Sequence, residues 1–156
     1  MKFEELKTFL DEKADQYNHS GFIEKDPISI PHRFVLKQDI EISGFLTATI
    51  SWGNRKSILN SAEKMLGFMD HSPYDFVLNV SEKYLKSLEG MPVHRTFNGE
   101  DFAEFIRNLK RIYAEYGSME PLFIPQENES SYYHALDRFR NVFLGNADHR
   151  SRKHVS

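Results

Sequence analysis

The chain has 156 residues, of which 40% are hydrophobic and 13% aromatic, a composition typical of one globular domain with a substantial core. Its formal net charge of −3 argues against a protein that coats nucleic acid non-specifically, although a local basic surface would not change that sum. The absence of cysteine excludes disulfides and thiolate metal sites, and no apolar run approaches the roughly 20 residues that span a bilayer. We therefore expect a cytoplasmic protein with no membrane segment.

The first predicted element is an amphipathic helix at the start of the chain. Its apolar residues recur at helical spacing, at Phe3, Leu6, Phe9, Leu10, Ala14 and Tyr17. Charged residues occupy the other positions, and the pattern ends near Asn18 and Gly21. This pattern predicts a helix that docks its apolar face on the rest of the chain.

Two prolines, Pro27 and Pro31, then favour an extended connection with a short turn, because neither can lie inside a continuous helix.

Residues 39–69 form the stretch around which the chain is predicted to be organised. Ile42, Phe45, Leu46 and Thr49 recur at helical spacing with apolar neighbours, which predicts a central helix buried on most of its circumference. After Gly53 a second helical stripe follows, at Ile58, Ala62, Met65, Leu66 and Met69.

The corner between these two helices, residues 51–56, has the composition of an anion site. Asn54 is suited to cap the second helix, and Arg55 and Lys56 follow at its N-terminus, where the helix dipole disfavours cations. Free backbone amides and two basic side chains would converge there, as in a phosphate site. The alternative is that both cations are solvated and pair with acidic residues elsewhere.

The second half of the chain predicts further helices. One begins with Ser72 as cap and Pro73 at its first position, and another covers residues 81–88. The best-formed helix is predicted between Asn98, with Asp101 in a capping box, and a stop at Gly117. A last helix ends at Gly145 with an apolar stripe at Tyr132, Leu136, Phe139, Val142 and Phe143.

No segment shows sustained two-residue alternation, so we predict an all-α fold of six to eight helices. Residues 1–146 would form one helical domain. Residues 147–156 are basic and poor in large apolar side chains, so they are expected to be a disordered arm or a connection that is cut short.

Two similar tetrads precede predicted helices. They read Pro31-His32-Arg33-Phe34 and His94-Arg95-Thr96-Phe97. They suggest paired loops on one surface. The alternative is that Phe34 and Phe97 anchor each loop in the core while each arginine pairs with a nearby carboxylate or helix end. Trp52, the only tryptophan, is either a core anchor or borders a ligand groove with His32 and His94.

The sequence offers no candidate catalytic or metal-binding group. It contains no Gly-x-Ser-x-Gly elbow, no glycine-rich nucleotide loop and no His-x-x-x-His pair or acid–histidine cluster at a useful spacing. We therefore expect no metal and no cofactor in this chain.

Four motifs in order resemble an uncharacterised bacterial family, domain of unknown function 2400. They read DPISIPHRF at 26–34, EISGFLTATISWGNRKSI at 41–58, SPYDFVLN at 72–79 and HRTFNGEDF at 94–102. The later part of that family resembles helix-hairpin-helix DNA glycosylases of the endonuclease III type. The resemblance implies that this chain is the N-terminal part of such a fold and that the catalytic residues lie beyond it.

In those glycosylases the loop between an early helix pair probes DNA where a base is flipped. Asn54 and Arg55 are the nearest positional matches, although the glutamine-containing loop of the glycosylases is not reproduced. The resemblance implies a DNA-binding, glycosylase-like protein, with Asn54, Arg55, Lys56, Arg33 and Arg95 contacting DNA. The fragment would also self-associate through a groove that the missing half would cover. The alternative is a non-enzymatic helical module that binds a protein partner.

Overall fold

The computed structural model describes residues 2–127, 129–145 and 153–155. In this part of the chain the α-helices are α1 (Phe3–Tyr17), α2 (Ser20–Ile23), α3 (Lys37–Thr49), α4 (Arg55–Phe68), α5 (Pro73–Asn79), α6 (Glu82–Ser87), α7 (Gly99–Tyr116) and α8 (Tyr133–Leu144). Three short 3₁₀ turns cover Pro27–Ser29, Pro31–Arg33 and Glu120–Leu122, and two short strands are β1 (Pro92–His94) and β2 (Phe97–Asn98). The predicted all-α class is confirmed. None of the described helices is long and apolar enough to cross a membrane.

Helix α7 begins and ends where the sequence predicts. The Asn98 side chain accepts a hydrogen bond from the Asp101 amide at 3.1 Å, and the Asp101 carboxylate accepts one from the Asn98 amide at 3.0 Å. Gly117 ends the helix in the left-handed conformation with φ 70°, which glycine adopts without steric cost. The capping box and the glycine therefore set both ends of the helix through local contacts alone.

The core is built largely from aromatic rings around α7. The Phe105 ring lies 5.6 Å from Phe45 of α3, 5.2 Å from Phe97 of β2 and 4.9 Å from Phe143 of α8, measured between ring centroids. The Phe97 and Phe143 contacts are edge-to-face and the Phe45 contact is stacked. Aromatic pairs in both arrangements add to the stabilisation that burial alone provides. One side chain of α7 therefore joins the central helix, the hairpin and the last helix.

Most of the circumference of helix α3 is at least partly buried, as predicted. Ile42 and Leu46 are fully buried, whereas Ile40, which was expected on a buried flank, is 40% exposed. The helix begins at Lys37, and Asp39 in its first turn accepts a hydrogen bond from the Tyr74 amide at 2.8 Å. This bond ties the start of α3 to α5.

A carboxylate on α3 also holds the end of α7. Glu41 accepts hydrogen bonds from the Tyr113 hydroxyl at 2.8 Å, the Ser118 hydroxyl at 2.7 Å and the Met119 amide at 2.9 Å. Burial raises the pKa of the Tyr113 phenol well above its ordinary value, and the hydrogen bond to Glu41 raises it further. The phenol therefore stays protonated and donates to Glu41 throughout the physiological pH range.

The first helix is not docked on the described chain. α1 forms as predicted, but none of its residues is buried, and Phe3 is 76% exposed. Its main aromatic contact is local, because the Tyr17 ring meets Phe22 of α2 at 5.9 Å. The prediction of a docking helix is therefore wrong for the part of the chain that the structure describes.

The last helix, α8, buries the predicted face in its C-terminal half but not in its N-terminal half. Phe139 and Phe143 are buried as expected, and Ala135 and Leu144 join them. Leu136 is 56% exposed and Tyr132 lies before the first residue of the helix.

Of the predicted tail, the structure describes residues 153–155, where Val155 packs against the core. The rest of that tail lies outside the described residues.

A small antiparallel hairpin, β1 and β2, was not predicted. It pairs His94 with Phe97 and Pro92 with Asn98, and Phe97 is fully buried. Gly99 follows directly, at a point where an added Cβ would lie 1.7 Å from the Leu88 carbonyl oxygen. Only glycine fits there, so the hairpin packs closely against the residues after α6.

Replacement of Phe105 by alanine should destabilise the protein by about 3–5 kcal/mol, because it removes a ring with three aromatic neighbours and leaves a cavity. Leu136→Ala is the matched control and should change stability by less than about 0.5 kcal/mol, because this side chain is exposed. Urea unfolding followed by circular dichroism measures both values. Similar losses for the two variants would contradict the assignment of the core.

Candidate nucleic-acid interface

The corner between α3 and α4 is formed by residues 51–54, and Asn54 caps α4 as predicted. The Asn54 side-chain oxygen accepts hydrogen bonds from the Lys56 amide at 3.0 Å and from the Ser57 amide at 3.4 Å. These are the amides that the sequence analysis left free for an anion. The expectation of a phosphate site made from free amides is therefore wrong for these two groups, and an anion at this corner would depend on side chains.

One such side chain is Arg95, which the hairpin turn carries to the corner. Its guanidinium carbon lies 5.1 Å from the centroid of the Trp52 ring, a cation–π distance. Arg95 has φ 50°, a left-handed conformation that is uncommon for a residue other than glycine. Trp52 is 37% exposed, so the stacked pair lies at the surface.

Gly53 makes this stacking possible. It has φ 114°, and a Cβ added at this position would lie 2.4 Å from an Arg95 guanidinium nitrogen. The guanidinium therefore occupies the space that any other side chain at position 53 would need. The glycine, the strained arginine and the exposed tryptophan form one arrangement, which we call the Trp52 platform (Trp52, Gly53 and Arg95).

His94 supports the platform from the protein interior. It is 3% exposed, its Nε2 lies 3.1 Å from the Trp52 carbonyl oxygen, and its Nδ1 lies 3.0 Å from the Ser61 hydroxyl. Because a carbonyl oxygen can only accept, Nε2 carries a proton, and in the neutral ring Nδ1 then accepts from Ser61. The structure therefore places His94 behind Trp52 rather than on the surface of a groove.

The two cations at the start of α4 differ in their surroundings. Arg55 lies 3.5 Å from the Asp26 carboxylate, and its guanidinium carbon is 5.6 Å from the centroid of the Phe22 ring. Lys56 is exposed and forms no ion pair with any residue that the structure describes. Asp26 thus offsets the unfavourable position of Arg55 at a helix N-terminus, whereas Lys56 has no such compensation.

Arg33 pairs with a carboxylate further along α4 from this corner. Arg33 donates to the Glu63 carboxylate at 2.5 Å, and Glu63 lies eight residues beyond Arg55, about 12 Å along the axis of α4. His32 is exposed and lines a groove with Tyr17 and Phe22. The two histidines therefore occupy different environments, because His32 is exposed and His94 is buried.

The structure adds two residues to the corner that the sequence analysis did not select. Thr96 and Lys153 border a shallow cleft beside Trp52, together with Thr49 and His154. Lys153 belongs to the basic tail, so its charge was visible in the sequence but its position was not. The polar surface around Trp52 therefore carries Arg95 and Lys153.

No group of three or more potential ligands that could hold a metal ion occurs among the described residues. This part of the chain therefore offers binding groups in the form of cations, an aromatic ring and hydroxyls.

Fold and corner together define a helical domain with basic side chains around an exposed aromatic platform. The chain belongs to the family described as "Protein of unknown function (DUF2400)", whose model matches residues 26–156. The match begins after α1 and α2. No curated protein and no solved structure matches the chain. The family is thus shown, while its likeness to helix-hairpin-helix glycosylases stays a prediction.

Two glycine replacements test the platform. Gly53→Ala should destabilise the protein by about 1–3 kcal/mol, because the residue has a positive φ and its Cβ would displace the Arg95 guanidinium. Gly67→Ala in α4 should instead stabilise it by about 0.5–1 kcal/mol, because no atom lies within 4 Å of the added Cβ and alanine favours a helix. Thermal unfolding measures both. A neutral or stabilising Gly53→Ala would show that Arg95 does not occupy that space.

Proposed function

We propose that this chain is part of a DNA-binding, glycosylase-like protein and forms one wall of its nucleic-acid groove. The observation that carries the proposal is the Trp52 platform, in which a strained backbone holds a guanidinium against an exposed ring. Such an arrangement suits contact with a phosphate through the guanidinium and with a sugar or base through the ring.

The charges around the platform support the same proposal. Arg95 forms no salt bridge with any described carboxylate, and Lys56 lies at the N-terminus of α4, where a bound anion would also interact favourably with the helix dipole. Other arginines pair with carboxylates, as Arg33 does with Glu63 and Arg107 with Glu82, or with carbonyl oxygens, as Arg111 does with Val142 and Phe143. Arg95 is held in place by an aromatic ring instead, which leaves its charge available to a ligand.

DNA binding at the corner should be weak and sensitive to salt. With two to three phosphate contacts, from Arg95, Lys56 and Arg55, the logarithm of the binding constant should fall with the logarithm of salt concentration at a slope of roughly −2 to −3. Arg95→Ala should reduce the magnitude of that slope by about 1. Fluorescence anisotropy of a labelled duplex at several salt concentrations measures the slope.

Arg33→Ala is the matched control for that experiment. It removes a cation of the same type that pairs with Glu63 and lies along α4 from the corner. The slope for this variant should equal that of the unmodified protein. Absence of binding at low salt, or an unchanged slope for Arg95→Ala, would contradict the proposal.

A second candidate function is that of a protein-interaction module, and α1 favours it. This helix exposes five large apolar side chains, at Phe3, Leu6, Phe9, Leu10 and Tyr17. No described residue buries them. An apolar helix face of this kind is typical of a contact with another protein, including a second copy of the chain.

Replacement of Leu10 by glutamate tests this candidate, because it places a charge on that face without touching the core. If the face mediates self-association, the sedimentation coefficient of the unmodified protein should rise with concentration, and Leu10→Glu should abolish the rise. The exposed Thr8→Glu is the control on the charged side of α1 and should behave as the unmodified protein. If the protein is a monomer at all concentrations, α1 does not mediate self-association.

A further inference from the structure

A second surface feature, which meets the Trp52 platform at Gly53, is a cleft of about 490 Å³. It lies between the 3₁₀ turn at Pro27–Ser29, helix α3 and the start of α4. Its apolar walls are formed by Pro27, Ile28, Pro31, Ala48 and Ile58. Small-molecule sites in proteins have volumes of roughly 300–1,000 Å³ and are similarly apolar, with a few polar groups that orient the ligand.

The Thr47 hydroxyl is one such polar group. Other hydroxyls in and just after α3 donate to the carbonyl oxygen four residues earlier: Ser43 to Asp39 at 2.6 Å, Thr49 to Phe45 at 2.9 Å and Ser51 to Thr47 at 2.7 Å. Thr47 lines the cleft, is only 4% exposed, and its hydroxyl forms no hydrogen bond with any residue the structure describes. The Thr47 hydroxyl therefore opens on the cleft, where it is free to donate to or accept from a bound group.

The rim of the cleft carries a second pair of polar groups, Asp26 and Arg55. One Asp26 carboxylate oxygen accepts from the Ile28 amide at 3.1 Å, and the other lies 3.5 Å from an Arg55 guanidinium nitrogen. A hydrogen-bond acceptor and a donor therefore stand side by side at the rim. Their complement is a ligand edge on which an N–H lies next to a carbonyl oxygen.

We propose that this cleft binds a planar heterocycle with such an edge, as the uracil ring of uridine has. The ring lies between the proline and aliphatic walls, its N–H donates to Asp26 and its carbonyl oxygen accepts from Arg55. The Thr47 hydroxyl bonds to a polar group of the ring at the inner end. Gly53 and Arg55 border both this cleft and the corner. The proposal does not depend on DNA binding there, because its test uses a free ligand.

Isothermal titration of the full chain with uridine tests the proposal. Uridine should bind, and 3-methyluridine, in which a methyl group replaces the N–H, should bind at least about tenfold more weakly. Thr47→Val removes the hydroxyl while keeping the shape of the side chain and should weaken uridine binding by about tenfold. Thr49→Val is the matched control, because Thr49 does not line this cleft, and it should bind uridine as the unmodified protein does.

Three results would overturn the proposal: no heat of binding with uridine, equal binding of 3-methyluridine, or unchanged uridine binding by a folded Thr47→Val variant. If Thr47→Val fails to fold, the comparison of uridine with 3-methyluridine on the unmodified protein still tests the proposal. The uridine titrations measure binding of a free ligand, whereas the DNA-binding proposal is tested by the salt dependence of duplex binding. Failure here is therefore distinguishable from failure of the DNA-binding proposal.

Discussion

The packing of Phe105 on α7 is the interaction on which the rest of the structure depends. Its ring touches Phe45, Phe97 and Phe143, so one side chain connects α3, the hairpin and α8. Burial of a phenylalanine contributes about 1.5–3 kcal/mol, and the surrounding rings add to it. The hairpin has only five paired or strand residues and could not form alone, so the Phe97 contact is what fixes it. Through Phe97 the core determines where Arg95 lies.

The corner shows how local strain is maintained by tertiary contacts. Arg95 adopts a positive φ and Gly53 leaves room for its guanidinium, an arrangement that neither segment would favour by itself. His94 connects the two by donating to the Trp52 carbonyl oxygen from a buried position. The energetic cost of the turn is offset by the packing of Phe97 and the hydrogen bonds of His94. The result is a cationic and aromatic surface with a defined geometry.

Features governed by neighbouring residues were predictable from the sequence. The start of α7 at Asn98, its end at Gly117 and the cap at Asn54 follow from rules that act over three or four residues, and all three are found. The hairpin was not predictable, because strands of three and two residues show no alternation. The exposure of α1 and the buried face of α8 depend on which surfaces lie opposite, and periodicity identifies an apolar face but not its partner.

The candidate site likewise contains features that the sequence predicts and features that only the fold reveals. The unfavourable placement of Arg55 and Lys56 was visible in the sequence, but the pairing of Arg55 with Asp26 joins segments that only the fold brings together. The unpaired hydroxyl of Thr47 was also hidden, because the sequence contains four similar hydroxyls in this stretch and the structure separates one of them from the others.

The central claim, that the Trp52 platform contacts nucleic acid, is tested most directly by the fluorescence of the single tryptophan during titration with duplex DNA. Because Trp52 would lie in the interface, its emission should change in parallel with the anisotropy of the labelled DNA, and both changes should be reversed by added salt. Binding seen by anisotropy with constant tryptophan emission would place the DNA elsewhere on the protein. No change in either signal at low salt would contradict the claim altogether.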